Sequence, residues 1–412
     1  MLAIFTDAFQ DWQNFLPLTF NKPIAKLRIG ILTIEEKWQK YLQILPTESY
    51  YLSQNYLHKK FPRLETIGQN TTQKLYLNTT FLPDKELCQA IQTLPKNSIL
   101  VSQNTIVAVL TEQVFATNAE VFTILENPTV LQHFQQINYA QKISRILYVY
   151  DIFRENRQQI IQDFALLTHN RKSFPITDIH TKVYGAENIF LEEGATIKAA
   201  ILNAEDAPIY IGKNAKVHEG AIIKGAFALC EGAEVNMATK IKGDTTIGVF
   251  SKVGGEISNS VIMGYSNKGH DGFLGNSVLG EWCNLGADTN TSNLKNNYSN
   301  VKLWNFVAEK MLDTDLQFCG TIMGDHAKCS INTMLNTATV VGIGANLFGA
   351  DFPPKFVPPF AWGGSNGFET FAFDKFCAMA DKVMQRRGIV LSNEDREILE
   401  IVFSQTQKYR NW

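Results

Sequence analysis

A histidine in a glycine-containing polar stretch is the residue of this sequence best suited to acid–base chemistry. His270 lies in the segment YSNKGHDG, residues 265–272, with Gly269 before it and Gly272 two residues after it. Histidine titrates nearer to neutrality than other side chains, so it can accept a proton from an attacking nucleophile. Flanking glycines suit a backbone that turns sharply or lies close to a ligand. A structural histidine in a polar loop is the alternative that these residues leave open.

A strict six-residue period predicts the element that must position this histidine. A period of six fits neither an α-helix at 3.6 nor a plain strand at 2. It predicts a hexapeptide-repeat parallel β-helix, in which one aliphatic side chain per face points into the shaft. Chance alternation in an ordinary β domain is disfavoured, because eight consecutive positions agree. The eight aliphatic residues are Ile211, Val217, Ile223, Leu229, Val235, Ile241, Ile247 and Val253.

The period fails after residue 253 and then resumes. We expect the register to shift at residues 254–259, and two polar segments, at 265–272 and 288–300, to separate the later repeats. About 18 residues per three-sided coil predicts roughly eight or nine coils between residues 188 and 350. The regular hexads are then an inert shaft, and functional residues lie where the period breaks. The inward residues after the shift are predicted to be Val261, Phe273, Leu279, Leu285, Met323, Cys329, Leu335, Val341 and Leu347.

Together with the β-helix, the rest of the sequence predicts a chain of four parts. Residues 1–150 form an α/β domain, and residues 151–172 form a connecting helix with one apolar face. The β-helix occupies residues 185–352. Residues 368–412 form a helical tail that caps the last coil, whose strand edges would otherwise stay unpaired.

Composition excludes several classes of function. The 38 Lys and Arg residues are interspersed with 40 Asp and Glu residues, which argues against a nucleic-acid partner. No apolar run approaches the roughly 18–20 residues of a membrane span, and the N-terminus lacks the features of a signal peptide. The six cysteines are far apart and form no CxxC pair, so we expect reduced packing residues and no metal site. These features predict a cytoplasmic protein with neither nucleic-acid nor membrane partners.

The stretch LPLTFNKP, residues 16–23, resembles the loop of sugar-nucleotide pyrophosphorylases in which Pro-Leu-Thr and Lys-Pro follow a phosphate-cradling glycine loop. The resemblance implies a nucleotidyltransferase-like fold. However, the corresponding residues 7–14 contain no glycine, and residues 100–104 read LVSQN where that family carries a metal-binding Gly-Asp. These departures argue against chemistry with Mg²⁺ and a nucleoside triphosphate. Lys22 and Arg28 are phosphate-binding candidates, with solvated loop cations as the alternative.

Residues 255–293 resemble the acetyltransferase half of the bifunctional glucosamine-1-phosphate acetyltransferase/N-acetylglucosamine-1-phosphate uridyltransferase family. That family also joins a pyrophosphorylase-like domain, a connecting helix and a left-handed β-helix in this order. The whole chain is similar to a divergent branch of sugar nucleotidyltransferases within it. The resemblance implies a left-handed β-helix, acetyl-CoA as co-substrate, a sugar phosphate or nucleotide sugar as acceptor, and a homotrimer.

The same resemblance assigns roles to individual residues. His270 matches the family's catalytic base, and Lys268 approximately matches a substrate-binding lysine because its spacing to the histidine is one residue shorter. Glu256 matches an acidic residue at the sugar site. Asn284 and Asn293 match positions in the sugar and acetyl-CoA region.

Three positions depart from the family pattern. A phosphate-gripping lysine is replaced by Ser258, a tyrosine at the sugar site by Phe273, and the Asn-Tyr of the acceptor loop by Asn293 and Leu294. Buried polar groups distinguish such substrates, so these changes predict an acceptor other than glucosamine-1-phosphate.

The sequence therefore leaves three functions open. The first is acyl transfer on the β-helix, with doubtful nucleotidyl transfer in the N-terminal domain. The second is an active sugar-1-phosphate nucleotidyltransferase, using UTP or dTTP, whose β-helix serves oligomerisation. The third is a catalytically silent binding or scaffold protein.

Overall fold

The computed structural model describes residues 1–9, 11–64 and 73–412. The chain divides into two compact units. The first contains Met1–Phe15, Asn21–Leu27 and Leu32–Leu147, and the second contains Leu16–Phe20, Arg28–Ile31 and Tyr148–Trp412. The chain therefore leaves the first unit twice before residue 32, which no local feature of the sequence had indicated.

The first unit is built on a mixed six-stranded sheet of order β2-β1-β3-β5-β4-β6. Strands β1, β2 and β3 are parallel, whereas β5 runs antiparallel to both β3 and β4. The strands are β1 Leu2–Thr6, β2 Ser49–Leu52, β3 Lys74–Asn78, β4 Ser98–Ser102, β5 Thr105–Thr111 and β6 Gln135–Asn138. The helices are α1 Ile34–Leu42, α2 Lys85–Gln92, α3 Asn118–Phe122 and α4 Pro128–Leu131, with short 3-10 turns at Asp11–Phe15, Ile24–Lys26, Pro46–Glu48, Asn55–Lys59 and Ile124–Glu126.

Helix α1 begins at a capping box. The Thr33 hydroxyl accepts the Glu36 N–H at 3.2 Å, and the Glu36 carboxylate accepts the Thr33 N–H at 2.7 Å. Two N–H groups that the first turn leaves without helical partners are thereby satisfied.

The second unit is a parallel β-helix whose coils contribute strands to three faces. The first face contains Lys182–Tyr184, Ile201–Asn203, Ile222–Lys224, Lys240–Ile241, Glu256–Ser258 and Phe273–Gly275, followed by the pair Asn290–Thr291 and Met334–Leu335. The second face contains Ile189–Leu191, Ile209–Ile211, Phe227–Leu229, Thr245–Val249, Val261–Gly264, Val278–Glu281, Ile322–Met323, Val340–Val341 and Phe356–Val357. The third face contains Thr196–Ile197, Lys216–Val217, Glu234–Val235, Lys252–Val253, Asn267–Lys268, Asn284–Leu285, Lys328–Cys329, Asn346–Leu347 and Ala361–Gly364, and ends with antiparallel Gly367–Thr370.

The predicted hexads form the core of this shaft. All eight aliphatic residues from Ile211 to Val253 are buried in one apolar cluster, and the later predicted residues Met323, Cys329, Leu335, Val341 and Leu347 belong to the same cluster. The predicted fold class, an α/β domain followed by a left-handed parallel β-helix and a helical tail, is confirmed.

The register between residues 253 and 285 corrects two predictions. Ile262 and Leu274 are the core residues, rather than their neighbours Val261 and Phe273. The reason is a change of corner length: Ile257 follows Val253 by four residues and Ile262 follows Ile257 by five, instead of six. Leu279 follows Leu274 by five residues, which restores the predicted register. Residues 265–272 are consequently not an insert, because Asn267–Lys268 is an ordinary third-face strand paired with Lys252 and Val253.

The segment that does leave the shaft begins later than predicted. Asn290–Thr291 still forms a coil strand, so only part of residues 288–300 belongs to the excursion. The excursion carries an antiparallel hairpin of Lys302–Asn305 and Lys310–Asp313 before the second face resumes at Ile322–Met323.

Three helices complete the second unit. Helix α5, Asp151–Thr168, packs Ile160, Phe164 and Leu167 against outward side chains of the second face, as its one-sided pattern predicts. The tail contains α6, Phe373–Gln385, and α7, Asn393–Gln405, and Ser392 caps α7 by accepting the Asp395 N–H at 3.1 Å. All six cysteines are buried free thiols. In the part of the chain that the structure describes, no helix combines the length and hydropathy of a bilayer span.

Candidate active site

His270 stands on the corner that joins the third-face strand Asn267–Lys268 to the first-face strand Phe273–Gly275, and its side chain is exposed. Gly272 makes this corner possible, because its φ is +112° and a Cβ there would lie 2.2 Å from the Thr289 carbonyl oxygen. Gly269 has no such restriction, since a Cβ added there would meet its nearest neighbour, the Asn236 Nδ2, at 3.4 Å. Gly269 thus leaves space for a ligand, whereas Gly272 is required by the stacking of coils.

A lysine inside the shaft holds the backbone of this corner. Lys268 occupies an inward position in register with Val253 and is only 1% exposed. Its Nζ donates to the carbonyl oxygens of Gly254 at 3.2 Å, His270 at 2.7 Å and Asp271 at 3.1 Å. Burial lowers the pKa of this amine to about 8, although the Asp271 and Asp288 carboxylates act in the opposite direction. The structure therefore places Lys268 behind His270, not in the cavities beside it.

The Asn236 side chain holds the carbonyl group of Gly269, the residue before His270. The Asn236 amide donates to the Gly269 carbonyl oxygen at 2.7 Å, and the Asp288 N–H donates to the Asp271 carbonyl oxygen at 3.1 Å. The carbonyl groups of residues 269, 270 and 271 are all hydrogen-bonded to the shaft, so the backbone that carries the imidazole is anchored on both sides.

His270 lines a cleft of about 540 Å³, a size suited to a small-molecule ligand. Its wall is the third face, from which Asn267 and Asn284 project in register. The end of α6 contributes Arg386 and Arg387. With Lys252, these arginines give the cleft three cationic side chains among its described lining residues, none of which is a carboxylate.

An aromatic ladder borders the same cleft. Phe250, Tyr265, Trp282 and His326 each occupy a corner between the second and third faces with φ between 54° and 63°. Their rings are stacked at centroid distances of 5.5, 4.3 and 6.3 Å along the series. Tyr265 and Trp282 line the cleft, and because each is stacked between two neighbouring rings, a ligand there would meet the edges of their rings.

His270 also lines a second, more open cavity of about 820 Å³, which we call the hollow. Asn236, Gly269, His270 and Ala287 are common to the hollow and the cleft. The remaining lining residues of the hollow are His218, Met237, Gly254, Gly255, Asp271 and Asp288. His270 therefore stands on the boundary between two cavities, where one imidazole can serve ligands on either side.

Of the other three β-helix residues predicted to bind substrate or cofactor, one lines the cleft and two lie outside both cavities. Asn284 lines the cleft. Glu256 lies on the first face, where its carboxylate is paired with Lys242 at 2.7 Å. Asn293 donates from its amide to the Asn276 side-chain oxygen at 2.7 Å. Neither Glu256 nor Asn293 lines the cleft or the hollow, and their sugar and acetyl-CoA contacts stay predictions.

The two phosphate-binding candidates of the N-terminal segment fall in different units. Lys22 is buried in the first unit. Arg28 is buried in the second, where its guanidinium donates to the Ile31 carbonyl oxygen. Phosphate binding by either residue remains a prediction.

At the carboxyl end of β1, where a glycine loop would begin, the structure has a buried carboxyl group. The Asp7 Oδ1 accepts the Ile24 N–H at 2.9 Å, and burial raises the pKa of Asp7 to about 7. Gln10, within the expected loop, lies outside the described residues. Across residues 1–9, 11–64 and 73–412, no group of three or more His, Cys, Asp or Glu side chains is arranged to hold a metal ion.

Several residues of the cleft were missed from the sequence. Asn236, Lys252 and Asn267 each stand next to an inward residue, so the hexad period itself could have identified them as outward neighbours of His270. Arg386 and Arg387 carry no such signal, because their position depends on how the tail packs against the shaft.

Comparison with known proteins agrees with this architecture. Residues 2–172 match the family model described as sugar nucleotidyl transferase. The bifunctional protein GlmU of Methanococcus aeolicus is 30% identical over 118 residues, which cover 28% of this chain and 27% of that protein. The bifunctional protein GlmU of Methanococcus vannielii is 32% identical over 118 residues, with the same coverage. The matched stretch thus spans about a quarter of the length of these curated relatives.

Among solved structures, the UDP-N-acetylglucosamine acyltransferase from Campylobacter jejuni matches with a TM-score of 0.23 and 14% identity, covering 56% of this chain and 96% of that chain. This similarity is too distant to bear on function. The family match and the curated relatives confirm the predicted resemblance to a divergent branch of the bifunctional family, and they support a transferase as the broad class.

Proposed function

We propose that this chain, which carries a sugar nucleotidyl transferase domain in residues 2–172, is a transferase of the sugar-nucleotide pathway. It moves an acetyl or other acyl group from acetyl-CoA to an amino or hydroxyl group of a sugar phosphate or nucleotide sugar. One observation carries the proposal: His270, exposed on an anchored corner, lines both a cationic cleft and a second cavity. A base in that position can contact a donor and an acceptor at once.

The cleft suits the acyl donor. Coenzyme A carries several phosphates, and arginine guanidinium groups bind phosphate through paired N–H donors. Arg386 and Arg387 lie together just after the end of α6, and Tyr265 and Trp282 offer ring edges against which its adenine can pack. Lys252 adds charge but is already paired with Glu234 at 3.0 Å, so the two arginines are the stronger phosphate ligands.

The residues in hand account for the proton transfers of acyl transfer. The acceptor nitrogen or oxygen attacks the thioester carbonyl, forming the new C–N or C–O bond while His270 takes the proton of the nucleophile. The C–S bond then breaks, and the imidazolium returns the proton to the leaving thiolate. General base catalysis of this kind contributes about 10²–10⁴-fold. The Asn267 and Asn284 amides, which project into the cleft, can donate hydrogen bonds to the carbonyl oxygen as it becomes negative.

A homotrimer is part of the proposal. Met237 in the hollow and Ile331 in the cleft are 71% and 64% exposed, which is unusual for large apolar side chains at ligand cavities. A second β-helix placed along this edge would cover both residues and narrow both cavities.

The test is coenzyme A release from acetyl-CoA with a panel of amino sugars, sugar phosphates and nucleotide sugars. We expect His270→Ala to lower kcat by about 10²–10⁴-fold without changing the melting temperature, because only the base is removed. His180→Ala, an exposed histidine outside both cavities, is the matched control and should behave as wild type. Full activity of His270→Ala on the best acceptor would refute the proposal.

Nucleotidyl transfer by the first unit is the second candidate, and the family match over residues 2–172 favours it. Its test is magnesium-dependent pyrophosphate release from UTP or dTTP with sugar-1-phosphates. If neither reaction occurs and no thermal shift follows addition of acetyl-CoA or nucleotide, the remaining explanation is a catalytically silent binding or scaffold protein.

A further inference from the structure

A carboxylate, a hydroxyl and an amide oxygen are buried just beyond the carboxyl ends of β1 and β2. Asp7 is 0% exposed, Ser53 is 8% exposed, and Gln54 follows Ser53 directly. Within the described part of the chain, the Asp7 Oδ2, the Ser53 Oγ and the Gln54 Oε1 are buried atoms without a hydrogen-bond partner. Buried polar atoms are almost always paired, either within the protein or with an ordered water or ion. These oxygens therefore point to a group that binds from outside the chain.

The sheet places Asp7 and Ser53 side by side. Strands β1 and β2 are parallel and pair Thr6 with Leu52, and the Asp7 N–H continues this ladder by donating to the Leu52 carbonyl oxygen at 3.0 Å. Asp7 and Ser53 are the next residues on the two strands, which are about 4.8 Å apart at that spacing. The residues that follow β2 also face this carboxylate, because burial and then the Asp7 charge raise the pKa of Tyr56. The ends of the two strands thus form one polar site.

The protein supplies this site with no positive charge of its own. Burial raises the pKa of Asp7 to about 7, and the two groups that lower it, the Ile24 N–H and the Thr79 hydroxyl, are neutral hydrogen-bond donors. The nearest imidazole is an acceptor, since the Ser53 N–H donates to the His58 Nε2 at 3.4 Å and burial lowers the pKa of His58. An ionised carboxylate in such surroundings is costly unless a cation accompanies it.

We infer that the ends of β1 and β2 bind one monovalent cation through the Asp7 Oδ2, the Ser53 hydroxyl and the Gln54 amide oxygen. Hard cations take oxygen ligands, and neutral oxygens of the amide type suffice for an alkali ion. One carboxylate neutralises one positive charge, whereas a divalent ion would leave a net charge buried. A water molecule would pair the same oxygens but would leave the charge of Asp7 in place.

The inferred cation site is separate from both proposed reactions. Its ligands belong to the first unit, so it does not depend on acyl transfer by the second. It also differs from the magnesium position of nucleotidyl transfer, which the family resemblance would put at residues 100–104, where this chain reads LVSQN. Failure of either reaction would leave the cation site untouched.

A cation and a proton compete for the same carboxylate. Without a cation, the raised pKa of Asp7 makes the first unit lose stability as pH rises from 3.8 through about 7. A cation that binds the ionised form should offset this loss at pH 8 and have little effect at pH 5, where the proton holds the site. Asp7→Asn should accordingly gain most stability at pH 8 in a salt whose cation is too large to enter.

The experiment is hydrogen exchange of the full-length protein at pH 8 in potassium, sodium and tetramethylammonium chloride. Equal ionic strength keeps screening the same, so only the size of the cation differs. Peptides from β1 and β2 report on the site, and peptides from the shaft strands are the internal reference. Wild type is compared with Asp7→Asn, Ser53→Ala and the control Glu126→Gln, which alters an exposed carboxylate of the first unit.

We expect potassium or sodium to raise the protection of β1 and β2 in wild type about tenfold over tetramethylammonium, as for a free cation at about ten times its Kd. Glu126→Gln should keep this gain, Ser53→Ala should reduce it and Asp7→Asn should abolish it. Ser53→Ala removes one ligand without changing the buried charge, so it decides the matter even if Asp7→Asn alters folding. Equal protection in all three salts, a gain that Asp7→Asn retains, or an equal gain at pH 5 would overturn the inference.

Thallium(I), which replaces potassium and has an NMR signal, tests binding directly in nitrate buffer. Wild type should show a bound thallium resonance that excess potassium displaces and that Asp7→Asn lacks. A bound resonance that persists in both Asp7→Asn and Ser53→Ala would show an adventitious ion only and would contradict the assignment.

Discussion

Among single residues, Lys268 shows how the shaft and the site are connected. Every neighbouring inward position in its column is apolar, yet Lys268 places an amine there and uses it on three carbonyl oxygens of the coil corners. Burial of an ammonium among aliphatic side chains costs free energy. A residue that breaks the local rule in this way is expected at functional positions, and here its contacts fix the backbone of His270.

Lys268→Met should separate stability from activity. In the folded protein the pKa of Lys268 is lowered to about 8 from 10.5, so folding releases protons between these pH values and stability rises with pH across that window. Methionine removes this cost below pH 8, so the shaft should melt at an equal or higher temperature at pH 7. Acyl transfer should nevertheless fall by about tenfold or more, because the corner of His270 loses its anchoring donors.

The pH profile distinguishes positioning from a general structural defect. Wild-type activity should decline near pH 8, where the amine loses the proton that lets it satisfy three carbonyl groups, and Lys268→Met should lack that decline. Lys213→Met, which alters an exposed lysine paired with Glu193 at 3.8 Å, is the control and should keep the wild-type profile. An unchanged profile in Lys268→Met would contradict this role.

At the level of elements, helix α6 forms part of the cleft as well as covering the shaft. Arg386→Gln/Arg387→Gln should weaken coenzyme A binding by about tenfold or more, since two charge-assisted phosphate contacts are lost. Lys382→Gln changes an exposed cation of the same helix that does not line the cleft and should bind as wild type. Isothermal titration at two salt concentrations measures both effects. A double variant with wild-type affinity and salt dependence would exclude α6 from the donor site.

The shaft was predictable from sequence and the site was not, for a physical reason. Each inward position in residues 211–253 is fixed by its own coil, so the aliphatic spacing predicts it directly. After Val253 two consecutive corners are shorter, and the predictions Val261 and Phe273 were each wrong by one residue. The sequence placed His270 in a polar insert, whereas the structure places it on a corner between two coil strands. The cleft depends on how α6 packs, and the hydrogen bonds that anchor the His270 corner depend on the direction of the Lys268 side chain. Both are tertiary features that leave no local pattern in the sequence.

At the scale of the molecule, the two candidate functions use different units of the chain. The family match covers the first unit, whereas the proposed acyl transfer uses residues of the second alone. Each unit has its own apolar core, so the stability of each can be followed on peptides from its own strands.

Asp7 provides such a test. Burial raises the pKa of its carboxyl group from 3.8 to about 7, so folding takes up a proton between these pH values and the first unit loses stability as pH rises through them. At pH 8, Asp7→Asn should stabilise the first unit by about 1–4 kcal/mol, because an amide keeps an acceptor for the Ile24 N–H without a buried charge. Hydrogen exchange of the full chain, read on peptides from β3, β5 and the shaft strands, measures each unit separately. Protection should increase in β3 and β5 at pH 8, change little at pH 4, and stay constant in the shaft.

Glu126→Gln, which alters an exposed carboxylate of the first unit, is the control for the Asp7→Asn prediction. Equal gains in both units, or a gain that does not depend on pH, would show that the buried charge of Asp7 is not the cause.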